Sequence, residues 1–161
     1  MRLLKTDERL IDEGYRYKID GNLVSDEDID LTDLNKSLFV SGYIEVGGSI
    51  KADGYIEADG YIKVGGSIEA GGSIEAGGSI EAGGYSGISA GLYIKAKTTI
   101  SGGLKIFAGI CTWREVTDEE KTITCAELLG GVKVGYGILK IIQTAPKTIV
   151  VDGITYTQTG E

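Results

Sequence analysis

The chain has 161 residues, among them 26 glycines, 2 cysteines and no histidine, enough for one ordinary domain with a sizeable core. Without histidine the usual zinc sites and the Ser-His-Asp or Cys-His nucleophile pairs are excluded. We therefore expect no enzyme, no catalytic residue, no metal site and no cofactor. The formal net charge of -8 argues against direct binding to nucleic acid and favours a partner protein with a basic surface.

The N-terminal segment, residues 1–37, is predicted to be an acidic cap. Its first apolar stretch is interrupted by charges, and no apolar run approaches the roughly 18 residues of a membrane helix, so the sequence predicts a cytoplasmic protein with no membrane contact. An apolar thread is expected to lead into the repeat through Val24, Ile29, Leu31, Leu34 and Leu38.

A dense group of carboxylates lies within this cap, and the sequence shows no evident structural partner for it. Because the spacing lacks the order of a Ca²⁺ loop, a solvated acidic surface is the favoured interpretation. The group consists of Asp26, Glu27, Asp28, Asp30 and Asp33.

The middle of the chain, predicted as a solenoid over residues 38–110, is built from hexads. Seven follow one another without insertion from Gly42 to Gly83, each placing an isoleucine two residues before Ala or Val. This alternation describes a short strand with one buried face, and the glycine or aspartate-glycine pairs between strands are expected to form positive-φ corners. Three hexads, about 18 residues, are predicted to close one coil of an all-β, triangular β-solenoid.

Three-sided stacking sorts the outward side chains into rows of mixed charge, which ladder stability favours. Tyr43 is expected to stack on Tyr61 in the preceding outward row. The predicted rows are Glu45, Lys63, Glu81, Ser101; then Lys51, Glu69, Ser89, Phe107; and then Glu57, Glu75, Lys95.

The C-terminal region, residues 111–161, abandons the hexad and is predicted to form a longer coil with a protruding loop. Thr117 is expected to cap an acidic turn, and Asp152-Gly153 between two β-branched runs predicts a terminal hairpin. Cys111 and Cys125 are interpreted as free, half-buried thiols, with a disulfide as the less favoured alternative.

Two groups of proteins resemble the repeat. The strand pattern resembles bactofilin-type β-solenoids, which implies a filament built by end-to-end stacking. The run GGSIEAGGSIEAGG, followed by KAKTTISGGLKIFAGICTWRE, is more similar to small acidic solenoid proteins of phages and mobile elements, a setting in which anti-CRISPR inhibitors occur. Hexapeptide acyltransferases share the coil but depend on a catalytic histidine that this chain lacks.

The leading functional hypothesis is a non-enzymatic, acidic inhibitor that occupies the basic, nucleic-acid-binding surface of a host nuclease or effector, with partial DNA mimicry. The alternative is a structural, self-associating scaffold, and a homodimer is left open. In the first case aromatic anchors and surface carboxylates carry the contact. The predicted partner-binding residues are Asp26, Glu27, Asp28, Asp30, Asp33, Tyr55, Glu57, Glu75 and Trp113.

Overall fold

The computed structural model describes residues 8–32 and 36–142, together with the backbone of two further strands, Thr148–Val151 (β21) and Ile154–Thr157 (β22). The strands from Arg16 to Ile141 form a three-sided solenoid in which each strand pairs in parallel with the strand one coil away. The exceptions among the described strands are β1 (Ile11–Asp12), which is antiparallel to the next strand, and the antiparallel pair β21 and β22. The predicted fold class, an all-β triangular solenoid, is confirmed.

Each side of the solenoid is one sheet. Sheet 1 contains Ile11–Asp12 (β1), Arg16–Ile19 (β2), Ser37–Val40 (β5), Ile56–Ala58 (β8), Ile74–Ala76 (β11), Ile94–Ala96 (β14), Thr122–Cys125 (β17) and Ile138–Ile141 (β20). Sheet 2 contains Ile29–Asp30 (β4), Ile50–Ala52 (β7), Ile68–Ala70 (β10), Ile88–Ala90 (β13), Lys105–Ala108 (β16) and Lys133–Tyr136 (β19). Sheet 3 contains Leu23–Ser25 (β3), Ile44–Val46 (β6), Ile62–Val64 (β9), Ile80–Ala82 (β12), Thr99–Ser101 (β15) and Glu127–Leu129 (β18).

The chain visits the sheets in the order 3, 2, 1, so each coil has three corners. Within the regular repeat the coil is 18 residues long, as for Ser49 and Ser67. It lengthens to 20 residues across the insertion near Ser86, as between Glu75 and Lys95, and lengthens further where Ile94 pairs with Ile123. The stacked strands extend beyond residues 38–110 in both directions, from β2 to β20.

The core is a continuous stack of inward-facing isoleucines with a small residue beside each. All seven hexad isoleucines, from Ile44 to Ile80, are 0% exposed, so the predicted assignment of faces is confirmed. The prediction that Val24 belongs to the apolar thread is wrong, because its side chain is 52% exposed. Leu23 is buried instead, since it lies in register with the buried Ile44 of the next coil. Ile29, Leu31 and Leu38 are buried as expected, and Leu34 lies outside the described residues.

The glycine corners form for a different reason from the predicted one. Among the described residues the positive-φ glycines are Gly14, Gly21, Gly109, Gly130, Gly131 and Gly137, none of them in the hexads. A Cβ on Gly83 would lie 1.7 Å from the carbonyl oxygen of Gly65, and one on Gly65 would lie 2.1 Å from that of Gly47. The hexad glycines are therefore required by the close approach of stacked corners.

The outward rows are confirmed by the strand register. Glu45 pairs with Lys63 and Lys63 with Glu81, and the other two rows follow the predicted order. The rings of Tyr43 and Tyr61 stack with centroids 4.7 Å apart and an angle of 7° between their planes.

The C-terminal region adds a further irregular coil. β21 and β22 pair in antiparallel fashion, which confirms the predicted hairpin, although its turn at Asp152-Gly153 lies outside the described residues. Cys111 and Cys125 are free thiols, as favoured, and Cys111 is half-buried, but the prediction of a half-buried Cys125 is wrong. Cys125 is buried in the core, and this burial raises the pKa of its thiol.

Candidate functional site

Two of the predicted partner-binding residues, Tyr55 and Trp113, meet at one cleft on the corner between sheets 2 and 1. Their side chains line a cleft of about 380 Å³ together with Tyr15. Tyr15 is 72% exposed, Tyr55 47% and Trp113 64%, an unusual concentration of exposed aromatic surface. We call this site the aromatic cleft, and its full lining is Tyr15, Lys36, Ser37, Asp53, Gly54, Tyr55, Gly72 and Trp113.

The backbone of Tyr55 is hydrogen-bonded to Ser37 and Leu38 of the preceding coil. Its N–H donates to Ser37 Oγ at 3.1 Å, and its carbonyl accepts a hydrogen bond from Leu38 N at 2.9 Å. On the other side its ring lies against Gly72, where an added Cβ would be 1.8 Å from Tyr55 Cδ1. The glycine at this corner therefore leaves the space that the tyrosine ring occupies.

Trp113 is presented by the loop of residues 109–121, which joins β16 to β17. The loop leaves the coil at Gly109, whose φ of 83° suits glycine, and Cys111 N donates to Gly91 O at 3.0 Å. Farther along, Arg114 forms a two-pronged ion pair with Glu120, at 2.8 Å from Nη1 to Oε2 and 2.6 Å from Nη2 to Oε1.

The same glutamate closes the turn that the sequence predicts. Thr117 N donates to Glu120 Oε2 at 3.0 Å, and Glu120 N donates to Thr117 Oγ1 at 3.3 Å, which is a reciprocal capping box around one turn. The hydrogen bonds from Arg114 and from the Thr117 backbone lower the pKa of Glu120 to about 2. The loop beside Trp113 is thus cross-braced by interactions internal to it.

Glu57 and Glu75 are neighbours on the outer face of sheet 1, in the strands next to the cleft. Like charges in register destabilise a ladder, and here each is matched by a cation. Arg16 Nη1 lies 3.4 Å from Glu57 Oε2, and Lys95 Nζ lies 2.5 Å from Glu75 Oε1. Partial burial raises the pKa of Glu57; Arg16 opposes this shift and Glu75 adds to it.

The acidic group of the N-terminal region lies elsewhere. Asp26, Glu27 and Asp28 form the corner between sheets 3 and 2, whereas the aromatic cleft lies on the corner between sheets 2 and 1. Asp33 lies outside the described residues. One flat surface therefore does not present both sets of predicted residues.

The expectation that these carboxylates have no structural partner is wrong, as Asp28 and Asp30 show. Asp28 Oδ1 accepts a hydrogen bond from Ser49 N at 2.6 Å. One coil later the equivalent acceptor is the hydroxyl of Ser49, which accepts from Ser67 N. Asp30 Oδ1 accepts hydrogen bonds from Thr32 N at 3.0 Å and Thr32 Oγ1 at 2.6 Å. Local backbone geometry, not visible in the composition of the segment, uses these side chains as turn acceptors.

Sequence reasoning missed Tyr15 and Arg16, which complete this side of the molecule. The Arg16 guanidinium lies 4.2 Å from the ring centre of Phe39 and 5.2 Å from that of Tyr15, besides its ion pair with Glu13 at 2.7 Å. Extending the register by one coil from Leu38 to Tyr17 would have placed both residues beside Ser37. The signal was weak because the residues before Leu38 do not follow the hexad.

Among residues 8–32 and 36–142, no group of three or more His, Cys, Asp or Glu side chains is arranged to hold a metal ion. The described elements also include no helix with the length and apolar character needed to cross a bilayer. Comparison with protein-family models, curated proteins and solved structures found no match.

Proposed function

We propose that this chain is a non-enzymatic binding protein that uses the aromatic cleft to contact a partner protein with a basic surface. The observation that carries the proposal is the convergence of Tyr15, Tyr55 and Trp113 at one corner. Tyrosine and tryptophan are the residues most enriched among the side chains that dominate binding energy at protein interfaces.

The way these rings are held supports recognition of a partner. Tyr55 lies on Gly72, and the turn that follows Trp113 is closed by Arg114 and Glu120. Side chains that are ordered before binding lose less conformational entropy when the complex forms. A braced loop on a stacked β-scaffold therefore favours tight contact over a small area.

The partner class follows from charge. The net charge of -8 favours encounter with a basic protein surface. Within the cleft Asp53 provides a carboxylate beside Lys36, whose ammonium group pairs with Asp12 at 2.6 Å. Glu57 and Glu75 contribute less than their position suggests, because Arg16 and Lys95 already pair with them. The acidic corner at Asp26 to Asp28 acts at longer range, by increasing the association rate.

In its specific form the proposal is that the partner is a nucleic-acid-binding nuclease or effector of a host defence system, and that this chain inhibits it by covering the basic surface. Such a partner has a site already suited to a polyanion. The resemblance to acidic solenoid proteins of mobile elements supports this form, as does the excess of acidic over basic residues.

The test begins with capture of partners from host lysate on the immobilised protein and on the double variant Tyr55→Ala/Trp113→Ala. For the captured protein we expect the double variant to bind about 30-fold more weakly or worse, since loss of an interface anchor typically costs about 2 kcal/mol or more. Tyr85→Ala is the matched control, because Tyr85 is 94% exposed and lies at another corner. Duplex DNA or guide RNA should compete with this chain for the same partner.

Two results would reject the proposal. If the double variant and Tyr85→Ala bind the partner equally well, the aromatic cleft is not the contact surface. If nucleic acid and this chain bind the partner simultaneously without competition, occupation of a nucleic-acid-binding surface is wrong. Gly72→Ala is a further test of the cleft as the contact surface, because it displaces the Tyr55 ring without removing it.

A second candidate function, a self-associating scaffold, is favoured by the last described coil. Leu139 and Ile141 are in register with the buried Ile123 and Cys125, yet they are 41% and 50% exposed. A coil end with exposed apolar side chains is a surface through which solenoids stack end to end. Sedimentation velocity at several concentrations separates the two functions: a growing series of species that Ile141→Lys abolishes supports the scaffold, and one discrete species excludes it.

A further inference from the structure

A second cleft lies on the corner between sheets 3 and 2, far along the chain from the acidic end of that corner. It has a volume of about 480 Å³, within the range of small-molecule sites. We call it the lysine groove, and its lining is Gly87, Gly103, Leu104, Lys105, Phe107, Gly131 and Lys133.

The groove is apolar apart from its two ammonium groups. Leu104 is 55% exposed, and the Phe107 ring lies over Gly135, where a Cβ would be 2.5 Å from Phe107 Cε1. A Cβ on Gly103 would lie 1.3 Å from the carbonyl oxygen of Gly84, so backbone forms this wall of the groove. An apolar surface of this kind binds hydrocarbon or aromatic groups by removing both from water.

Lys105 and Lys133 are directly opposed on adjacent parallel strands, β16 and β19. Like charges in register destabilise a sheet. Across the described ranges, 8–32 and 36–142, neither lysine has an ion pair or a side-chain hydrogen bond, and no carboxylate lines the groove.

On sheet 1, in contrast, opposed like charges have ion-pair partners. There the opposed Glu57 and Glu75 are each neutralised by a cation of the chain, Arg16 and Lys95. On sheet 2 the corresponding compensation for two lysines is missing among the described residues. An anion bound between the two ammonium groups would supply it.

We propose that the lysine groove binds a small organic anion with an apolar body, of the class of medium-chain fatty acids. The carboxylate lies between Lys105 and Lys133, and the hydrocarbon lies along Leu104 and Phe107. The apolar lining favours such an amphiphile over inorganic phosphate, and two isolated lysines in a chain of net charge -8 disfavour a polyanion. This inference is independent of the aromatic cleft and of any partner that binds there.

The test is isothermal titration of the full chain with dodecanoate, below the concentration at which it forms micelles. We expect saturable binding with one site per chain, while dodecyltrimethylammonium, with the same hydrocarbon and the opposite charge, does not bind. Lys105→Gln/Lys133→Gln should weaken dodecanoate binding at least about tenfold, since a single interaction with a charged group is typically sufficient for that factor. Leu104→Ser should weaken it as well, through the apolar body.

The matched control is Lys51→Gln/Lys63→Gln. It also removes two outward lysines from the ladders, but each of these lies between carboxylates, Lys51 between Asp30 and Glu69 and Lys63 between Glu45 and Glu81. We expect its affinity for dodecanoate to equal that of the wild type. Thermal melts of all variants establish that each is folded. Saturating dodecanoate should raise the melting temperature of the wild type, because a ligand that binds the folded state stabilises it.

Three results would overturn the proposal. They are no saturable binding of dodecanoate to the wild type, equal weakening by the two double lysine variants, and binding of inorganic phosphate as tight as that of dodecanoate. The last would mean that charge alone acts at the groove and that its apolar lining plays no part.

Discussion

The hexad stack, residues 42–83, and the 109–121 loop are ordered by different kinds of interaction. In the stack the buried isoleucines pack on isoleucine or leucine one coil away, and the outer face carries mainly charged side chains in register. In the loop, order comes from specific side chains such as Arg114 and Glu120, and the result is an exposed tryptophan. The comparison indicates that the repeat supplies a continuous buried core, whereas its interruption presents an exposed aromatic side chain.

The largest expected effect comes from breaking the period of the stack. Deleting Gly66 to Gly83 removes one whole coil and leaves every later strand on its own sheet, so we expect a β-rich protein that melts cooperatively. Deleting only Gly66 to Ile74 places Gly77 where Ile68 was and Ile80 where a corner glycine was. Although it is the smaller deletion, it should abolish the cooperative transition in circular dichroism melts. Equal melting of the two proteins would contradict the six-residue period of the buried positions.

A single core truncation should have the next largest effect. Ile68→Ala removes a fully buried side chain from the middle of the stack and should lower the free energy of unfolding by about 2–5 kcal/mol. Its neighbour on the outer face provides the control, because Glu69→Ala should change stability by less than about 0.5 kcal/mol. Chemical denaturation measures both, and similar losses would reject the assignment of faces.

The corner glycines give a smaller effect with a close control. In Gly83→Ala the new Cβ meets the Gly65 carbonyl oxygen, and we expect a loss of about 1–3 kcal/mol, typical of overpacking. In Gly84→Ala nothing lies within 4 Å of the new Cβ, so stability should change by less than about 0.5 kcal/mol. If Gly83→Ala is as stable as Gly84→Ala, close approach does not explain the glycines of the repeat.

The smallest effect is local and depends on pH. Because the folded-state pKa of Glu120 is lowered to about 2, its stabilising interactions are fully present above the ordinary value of 4.5 and are lost as the pH falls towards 2. Trp113 is the single tryptophan of the chain, so its fluorescence reports on the loop. We expect constant emission from pH 7 to about pH 4 and a change below that.

Glu120→Gln should remove this acid transition, since the variant has no carboxylate to protonate. Glu115→Gln in the same loop is the control and should keep it, because Arg114 contacts Glu115 only through the backbone carbonyl oxygen. A transition that persists in Glu120→Gln would assign the acid response to another group.

The fold followed from the sequence because its determinants are local and periodic. Isoleucine every six residues, a small residue two positions later and mixed charges between them define one buried face, and three such strands per coil place each row correctly. The stacked tyrosines follow from the same register. These features depend only on spacing along the chain, which the sequence displays directly.

Only the tertiary structure decided which surfaces are assembled. Tyr15 joins Tyr55 and Trp113 because coils of different length bring a loop and an irregular N-terminal segment to one corner. The same folding gives Asp28 a backbone partner, pairs Glu57 with Arg16 and leaves Lys105 opposite Lys133. The physical reason is that each coil of a repeat contacts only its neighbours, so its stacking follows from the period of the sequence. The irregular segments contact residues far away in the sequence, and those contacts depend on three-dimensional distances that the sequence does not show.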